Sequence, residues 1–416
     1  MNAPSTALPV HRAIPPAPGF DNTTALLGEG YRFIGNRCDA LGSDIFATRL
    51  LLRRVVCVRG AAAARMFYEP GRFTRKRAIP ANTLAMLQDH GSTQDLDGEM
   101  HQVREAMLLV LHSPAARTRL VDLAEREWRG RFERWPRQRS LVLLQEAQAV
   151  LCRAACAWAG VPLASVEEEV LRTAEFSAMI DGAGSMGPRK WLGSALGRHT
   201  RQWAHDHIAQ VRAGRPTDPD SPLAAIAFHL DAQGEVLSTA DAAAELIHLL
   251  CPVVAVARHI VFGALAMHEH PEWSARLAGG HDADLAVFVE EVRRYYPSFP
   301  AIGGRANHAF AWNGMLFNKD DWVLLDVYGT NHHPDTWPDA ERFRPERFQG
   351  RQGGAVPARG QPCPGETIAI ELTKSALRLL AGAIDYTVPP QDLSIRLERM
   401  PALPASGLVI AEVRPR

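Results

Sequence analysis

The feature that most constrains the fold of this chain is its most apolar segment, residues 243–267. The segment is long enough to cross a membrane, but it carries a glutamate, an arginine and two histidines and is interrupted by Pro252. Ionisable groups at these positions make a poor membrane span and favour a central core helix. Because Pro252 cannot donate to the carbonyl of His248, we expect a kink in this helix, which opens a groove where a ligand can lie.

The rest of the pattern is mostly helical, with a smaller strand-rich part. Residues 44–59 alternate polar and valine-rich positions and predict a pair of strands, and WVLLDVYG at 322–329 predicts another strand. A last helix is expected from about Gly365 to Ala381. Apolar residues recur at intervals of three and four in five further segments, 101–112, 117–135, 143–160, 164–180 and 197–213. We therefore predict a mainly α protein with a minor β portion.

No long linker, repeat or low-complexity run divides the chain after Asp21. This predicts a single domain over residues 21–416. The first 20 residues contain several prolines and no basic segment followed by an apolar core, so we interpret them as a flexible N-terminal arm and not as a signal peptide.

Charge and cysteine usage limit the classes of partner and the compartment. The 46 basic residues are offset by 46 acidic ones, which argues against a general nucleic-acid binder or a polybasic membrane protein. The six cysteines are scattered and form no CxxC pair, while Cys152 and Cys156 share an apolar helical face. These observations predict a cytoplasmic protein with no nucleic-acid or membrane partner.

Two charged motifs lie late in the chain. Glu291 and Arg294 are three residues apart within a predicted helix, so they can pair on one face. Arg347 lies in FRPERF at 343–348, where the proline prevents a continuous helix and the phenylalanines anchor the loop. Each motif alone is weak evidence, because most such ion pairs lie on solvated surfaces.

A third motif, GQPCPGE at 360–366, places Cys363 directly before the last predicted helix. The unpaired amide N–H groups and the dipole at a helix start favour a thiolate and can donate hydrogen bonds to its sulfur. For a lone cysteine, the alternative of a small buried apolar residue is the more common one. The order and spacing of the motifs therefore have to be considered together.

A proline-kinked helix, ExxR, PxRF and a Cys-Pro-Gly loop, in this order, resemble the cytochrome P450 family over residues 21–416. The resemblance implies a haem b cofactor whose iron is ligated by the thiolate of Cys363, which favours O–O cleavage. It also implies that Glu291, Arg294 and Arg347 stabilise the structure on the cysteine side of the haem.

Several longer runs are similar to the bacterial fatty-acid peroxygenase branch, which hydroxylates or decarboxylates fatty acids with hydrogen peroxide. In the usual monooxygenases of the family, an acid–alcohol pair in the kinked helix relays protons to bound dioxygen. Cys251 and Pro252 stand in its place, which favours peroxide as the oxidant and makes a redox partner unnecessary. The similar runs are residues 26–37, 66–80, 152–163, 262–271, 290–297 and 323–334.

The chain departs from this branch at Cys251, where the peroxygenases carry an arginine that anchors the substrate carboxylate. A neutral thiol cannot replace the charge-assisted, bidentate contact of an arginine. Arg258, two turns further along the helix, is an alternative anchor, although pairing with a structural acid is the more common role for such a residue. The resemblance therefore predicts a substrate that is not necessarily a long-chain fatty acid.

A second departure lies in the loop at residues 87–94, which precedes the helix expected against the haem. Gln88 stands where the branch has an apolar side chain of the acyl channel, and Gln94 matches the polar residue above the haem. Asp89 and His90 are candidates for the missing acid–base group, with an exposed polar loop as the alternative. We assign Gln88, Arg258 and Ala301 to the substrate pocket.

A third departure is the absence of a basic residue at positions 361 and 362, before the cysteine. Haem propionates must then bind elsewhere. His101 matches the family's propionate-contacting histidine, and Arg75, Arg104 and Arg359 are further candidates.

Three functions follow from these patterns. The leading hypothesis is a haem-thiolate peroxygenase that oxidises a small organic substrate, expected to be a carboxylic acid. The second is a biosynthetic monooxygenase or oxidase that takes electrons from redox partners and acts on an amino-acid-like or aromatic metabolite. The third is a haem-binding sensor without turnover, which the replacement at Cys251 favours.

Overall fold

The computed structural model of the protein describes residues 12–76, 78, 98–185, 187–350 and 364–416, with the side chains of 98–101 and 364 excluded. The helices are α1 Thr23–Glu29, α2 Phe33–Leu41, α3 Ala61–Phe67, α4 Gly98–Leu111, α5 Pro114–Phe132, α6 Leu143–Ala159, α7 Val166–Gly182, α8 Pro188–Arg212, α9 Pro222–Ala227, α10 Thr239–Ala255, α11 Ala257–Glu269, α12 Pro271–Ala278, α13 Asp282–Tyr295, α14 Val327–Asn331 and α15 Pro364–Gly382. The strands are β1 Ile45–Leu50, β2 Arg53–Val58, β3 Phe73–Thr74, β4 Ser140–Val142, β5 Ala301–Ala306, β6 Phe310–Trp312, β7 Met315–Phe317, β8 Trp322–Asp326, β9 Ile384–Thr387 and β10 Val409–Pro415.

The apolar segment forms the central helix, α10 followed by α11. It begins with the side chain of Ser238, which accepts a hydrogen bond from the amide of Asp241 at 3.0 Å. Pro252 lies inside α10, and the helix is interrupted at Val256, where the last turn tightens to a Val256 N–H to Val253 carbonyl bond. Residues 239–269 are long and apolar enough to cross a membrane, but 72% of the apolar window is buried in the protein. The prediction of a core helix is confirmed, and its interruption lies at Val256, four residues after Pro252.

One large apolar core surrounds the central helix. It contains buried side chains of α5, α6, α11, α13 and α15, and the indole rings of Trp128, Trp135 and Trp158 are among its largest members. The thiols of Cys152 and Cys156 are also fully buried in it and are not disulfide-bonded. Their interpretation as buried helical cysteines is therefore confirmed.

The minor β portion forms a second layer around a mixed sheet. Its five strands have the order β1-β2-β8-β5-β3, with only β2 and β8 parallel. The strand pair predicted at 44–59 is confirmed, with Ile45 opposite Val58 and Leu50 opposite Arg53. Two smaller sheets pair β4, β10 and β9, and β6 with β7.

The described part of the predicted N-terminal arm is attached to these sheets. The amide of Arg12 donates to the Gly314 carbonyl, and Ala17 donates to Ala47, each at 2.8 Å. Ala47 in turn donates to the carbonyl of Pro15. Residues 12–17 therefore depart from the expected flexible arm, because their backbone groups complete the edges of the sheets. Residues 1–11 lie outside the described part of the chain.

Most helices occur where periodicity predicts them, but their ends differ. The largest difference is α8, which begins at Pro188, nine residues before the predicted start. The first residues of α8 include Pro188 and Gly193, and both residue types are unfavourable inside a helix, which hides the start in the sequence. At the first helical turn, however, proline is well suited. Gly193 is buried because its Cα lies against the carbonyl of Ala178 in α7, where a side chain would collide.

Candidate functional site

The central helix presents a single line of accessible side chains. Between residues 242 and 257 every position is buried except His248, Cys251, Pro252 and Ala255. Cys251 and Pro252 are adjacent, and His248 and Ala255 each lie three or four residues from both of them, so the four positions share one face of α10. We call them the accessible stripe. It places the predicted residues Cys251 and Pro252 together on the face of a core helix that is open to a ligand.

The helix that follows the cysteine motif begins at Pro364, one residue from where it was predicted. Cys363 itself, with Arg359 and the rest of the motif before it, lies outside the described residues. The start of α15 provides unpaired backbone amides and the positive end of the helix dipole directly after the cysteine. This is the setting that the thiolate prediction requires.

Glu291 and Arg294 on α13 form a fully buried ion pair. The guanidinium donates from Nε to Oε2 at 2.7 Å and from Nη2 to Oε1 at 2.8 Å. Its remaining hydrogen bonds go to carbonyls of Asn331, Ala340 and Arg342. Arg294 therefore fastens the helix to the loop that leads into the PxRF motif.

Arg347 joins the same cluster from the PxRF motif. Its Nε donates to Glu291 at 3.2 Å, and its other nitrogens donate to three carbonyls of residues 338–342. The amide of Arg344 also donates to Glu291 at 2.6 Å. The structure thus brings together the three residues that the sequence predicted to act as a unit.

A second ion cluster beside it was missed by the sequence analysis. Nη1 of Arg293 donates to both carboxylate oxygens of Glu290, at 2.7 and 2.8 Å. The same guanidinium also pairs with Glu366 in the first turn of α15. Glu366 follows Cys363 by only three residues. The signal was present, since Glu290 and Arg293 repeat the i, i+3 spacing of their neighbours, but nothing in the sequence indicated that the partner was Glu366.

Arg104, predicted as a propionate contact, lies in a different environment. Its guanidinium is buried on α4 and pairs with Glu245 at 3.3 Å and with Asp241 at 3.5 Å, both on α10. Two carboxylates already balance its charge, so we correct its assignment to a residue that fastens α4 to α10. Sequence spacing could not anticipate these partners because they lie about 140 residues away.

The other predicted cationic contact, Arg75, is exposed and lies over the ring of Phe67 at 5.9 Å. Its role toward a propionate stays a prediction. The side chain of His101 is outside the described part of the structure, although its backbone lies in α4. Gln88, Asp89, His90 and Gln94 also lie outside the described residues, and their assignments stay predictions.

Arg258, the alternative substrate anchor, has no ion pair with an acid among the described residues, although such a pair is the more common expectation. It donates from Nη2 to the Ser298 carbonyl at 2.9 Å and lies beside the Tyr31 hydroxyl, while its Nε is buried without a hydrogen-bond partner. Burial lowers the pKa of this guanidinium. These contacts connect α11 to the segment before β5 and support a structural role. Ala301, the other pocket residue, is partly exposed at the start of β5 and packs against a core cluster with Phe33 and Phe46.

The residues of the site fit a haem group. The accessible stripe offers the small, uncharged side chains of Cys251, Pro252 and Ala255, beside which a flat macrocycle can lie. The helix that carries it contacts α15, whose start follows Cys363. Chemistry and sequence position therefore agree, since the predicted sulfur ligand directly precedes in sequence a helix that contacts α10.

Comparison with known proteins agrees with this geometry. The model of the family "Cytochrome P450" matches residues 285–367, which include both ion clusters and Cys363. Among curated proteins, flavonoid-6-hydroxylase of Ocimum basilicum is 27% identical over 149 residues, and human cytochrome P450 4A22 is 29% identical over 129 residues. The matches span 32% and 29% of this chain, but only 28% and 24% of those proteins.

Solved structures match over nearly the whole chain. Cytochrome P450SP alpha in complex with (R)-ibuprophen has a TM-score of 0.89 and 41% identity, covering 95% of this chain and 99% of that one. Cytochrome P450EX alpha with myristic acid has a TM-score of 0.91 and 34% identity, with coverage of 97% and 100%. A variant of cytochrome P450 OleT in complex with arachidonic acid has a TM-score of 0.92 and 28% identity, with coverage of 97% and 99%.

Proposed function

Because this chain belongs to the cytochrome P450 family and its cofactor is haem b, we propose that it is a haem-thiolate peroxygenase that oxidises a small carboxylic acid. It uses hydrogen peroxide to hydroxylate or decarboxylate this substrate. In this proposal it acts in the cytoplasm and needs no redox partner protein. The substrate is an acid, but not necessarily a long-chain fatty acid.

The observation that carries the proposal is the full-length similarity to three solved proteins that were bound to carboxylic acids. Ibuprofen, myristic acid and arachidonic acid differ in shape and length but share the carboxyl group. The likeness extends over 95–97% of this chain. This supports an acid as the substrate class and leaves the rest of the substrate open.

The accessible stripe supports peroxide as the oxidant. Haem held by the Cys363 thiolate would supply the oxidising chemistry. Oxygen activation by reduction would require protons delivered along the central helix. Pro252 has no N–H, and Cys251 replaces the carboxyl group that such a relay uses, so this part of the helix is poorly suited to that task. Peroxide already contains both oxygen atoms and both electrons and needs only local acid–base help, for which Asp89 and His90 remain the proposed groups.

The two ion clusters of α13 hold the cysteine side of the site in place. The Glu291–Arg294 pair is buried and bonded to three loop carbonyls, so it fixes the loop ahead of the cysteine motif. Arg293 fixes the start of α15 just after the motif by its contact with Glu366. Cys363 thus lies in sequence between two anchored segments.

The proposal is tested by turnover of the purified ferric protein with hydrogen peroxide and no reductase. The panel contains fatty acids, aromatic acids and amino acids, each beside its neutral amide, and catalase is added in a parallel series. We expect acids to shift the Soret band and to give hydroxylated or decarboxylated products that catalase abolishes.

Two outcomes would contradict the proposal. Products that appear only with NAD(P)H and a ferredoxin system would indicate a monooxygenase. Binding without turnover under either electron source would indicate a haem-binding sensor.

A further inference from the structure

His248 is the one residue of the accessible stripe that neither the family motifs nor the proposed function uses. It is partly exposed, whereas residues 242–247 before it and residues 249–250 after it are buried. A polar side chain that stays partly exposed on a core helix remains accessible to water or to a ligand. Its exposure on the same face as Cys251 indicates such a site.

The spacing places the imidazole beside the position that Cys251 occupies. His248 precedes Cys251 by three residues and Pro252 by four, so its Cβ is about 5–6 Å from theirs on the helix surface. An imidazole ring is long enough to extend over a neighbouring small side chain. The thiol of Cys251 and the ring of Pro252 leave space that a larger residue at either position would fill.

The charged groups nearest along the helix have other partners. Glu245, one turn before His248, pairs with Arg104, and Asp241 pairs with the same guanidinium. The electrostatic influence of His248 extends to His112 at the end of α4, where it lowers the pKa of that residue after the larger effect of burial. Among the ionisable residues described on α10, His248 is the one that lies three residues from Cys251 on the accessible stripe.

We propose that His248 binds the acid group of the substrate, in place of the arginine that Cys251 lacks. The inference rests on the proposed function, because it names the group that recognises the substrate of that site. A protonated imidazole donates a charge-assisted hydrogen bond to a carboxylate, and it does so through one N–H at a time. It therefore selects acids over amides, but with less geometric restriction than the two-pronged contact of an arginine.

The test compares His248→Asn with His268→Asn, which changes an exposed histidine near the end of α11. The dissociation constants of an acid and its primary amide are measured from the Soret shift of the ferric holoenzyme. Loss of a charged hydrogen bond costs about 1.5–3 kcal/mol, so His248→Asn should weaken acid binding by at least about tenfold. Amide binding and the His268→Asn variant should stay near wild type.

An unchanged acid-to-amide ratio in His248→Asn, at normal haem content, would overturn the inference. A second variant, His248→Gln, repeats the test with a longer neutral side chain if the first binds haem poorly. Peroxide-driven turnover of the same acid separates the two proposals. If peroxide-driven turnover occurs and the acid-to-amide ratio of His248→Asn is unchanged, only the role of His248 is wrong. If the ratio is lost and no peroxide-driven turnover occurs, the peroxygenase proposal is wrong and the role of His248 in binding acids is supported.

Discussion

The cysteine side of the fold and the central helix distribute charge in opposite ways. Around Arg294 the charged groups are buried, and each has a partner at hydrogen-bond distance. The accessible stripe on α10 contains no carboxylate, lysine or arginine, and it is open where the rest of the helix is packed. Buried networks fix one geometry, because breaking any member leaves a charge unpaired. The difference indicates that the cysteine side holds the cofactor in place, while the stripe determines which substrate it meets.

The largest effect is expected from Arg294→Lys on the cysteine side. A lysine has no planar fork, so it cannot bind both Glu291 oxygens and three carbonyls at once. We expect a loss of about 3–5 kcal/mol in the free energy of unfolding, measured by urea denaturation, together with poor haem retention. Arg344→Lys is the matched control, since Arg344 pairs with Asp339 where both side chains are at least half exposed. Equal unfolding curves for the two variants would show that the buried pair of Arg294 contributes no more to stability than the exposed pair of Arg344.

On the stripe, Cys251→Arg should increase function instead of removing it. The new guanidinium supplies the bidentate contact for a carboxylate that the thiol cannot make. We expect fatty-acid affinity, measured by Soret titration over several chain lengths, to increase by about tenfold or more. Cys251→Ser, which stays neutral and small, should change little. Absence of a gain at any chain length would show that the remainder of the pocket excludes acyl chains.

Arg293→Ala separates positioning of the sulfur from general stability. It removes the link between α13 and Glu366, which we expect to cost about 1 kcal/mol and to increase the fraction of the ferrous–CO complex that lacks the Soret band of thiolate-ligated haem. Arg293→Lys should restore most of that band. The control is Lys374→Ala, which breaks a different ion pair between the same two helices, with Asp282. A loss of the band of equal size in the control would assign the effect to helix docking alone.

The effect that is smallest at neutral pH is a pH dependence where the two regions meet. Burial lowers the pKa of His259 on α11 to about 3, and the charges of Arg293 and Arg258 act in the same direction. The unfolded chain binds a proton at this histidine near pH 6.5, whereas the folded protein does not, so stability should decrease as the pH falls from about 6.5 toward 3. His259→Leu should weaken this decrease in urea denaturation curves. An identical decrease in both proteins would assign it to other groups.

The sequence predicted the central helix, the strand pair at 44–59 and the cluster of Glu291, Arg294 and Arg347. Each of these depends on a local signal, either a periodic apolar pattern or charges three residues apart. The order of the motifs along the chain then indicated the family.

The partners of single charged residues could not be predicted in the same way. Arg104 pairs with acids about 140 residues away, and Arg293 with Glu366 over 73 residues. Such contacts are determined by helix packing, which composition and periodicity do not specify. The accessible stripe could not be predicted either. The apolar pattern of α10 does not indicate which face of the helix, including His248, stays accessible in the folded protein.

Oxygen-isotope labelling shows whether hydrogen peroxide supplies the oxygen atom of the product. The purified ferric protein is supplied with an acid substrate and hydrogen peroxide labelled with oxygen-18, in air and without reductant, and the hydroxylated product is analysed by mass spectrometry. For a peroxygenase we expect the label in the new hydroxyl group, because peroxide supplies the oxygen atom. A product that lacks the label and forms only when electrons and dioxygen are supplied would contradict it.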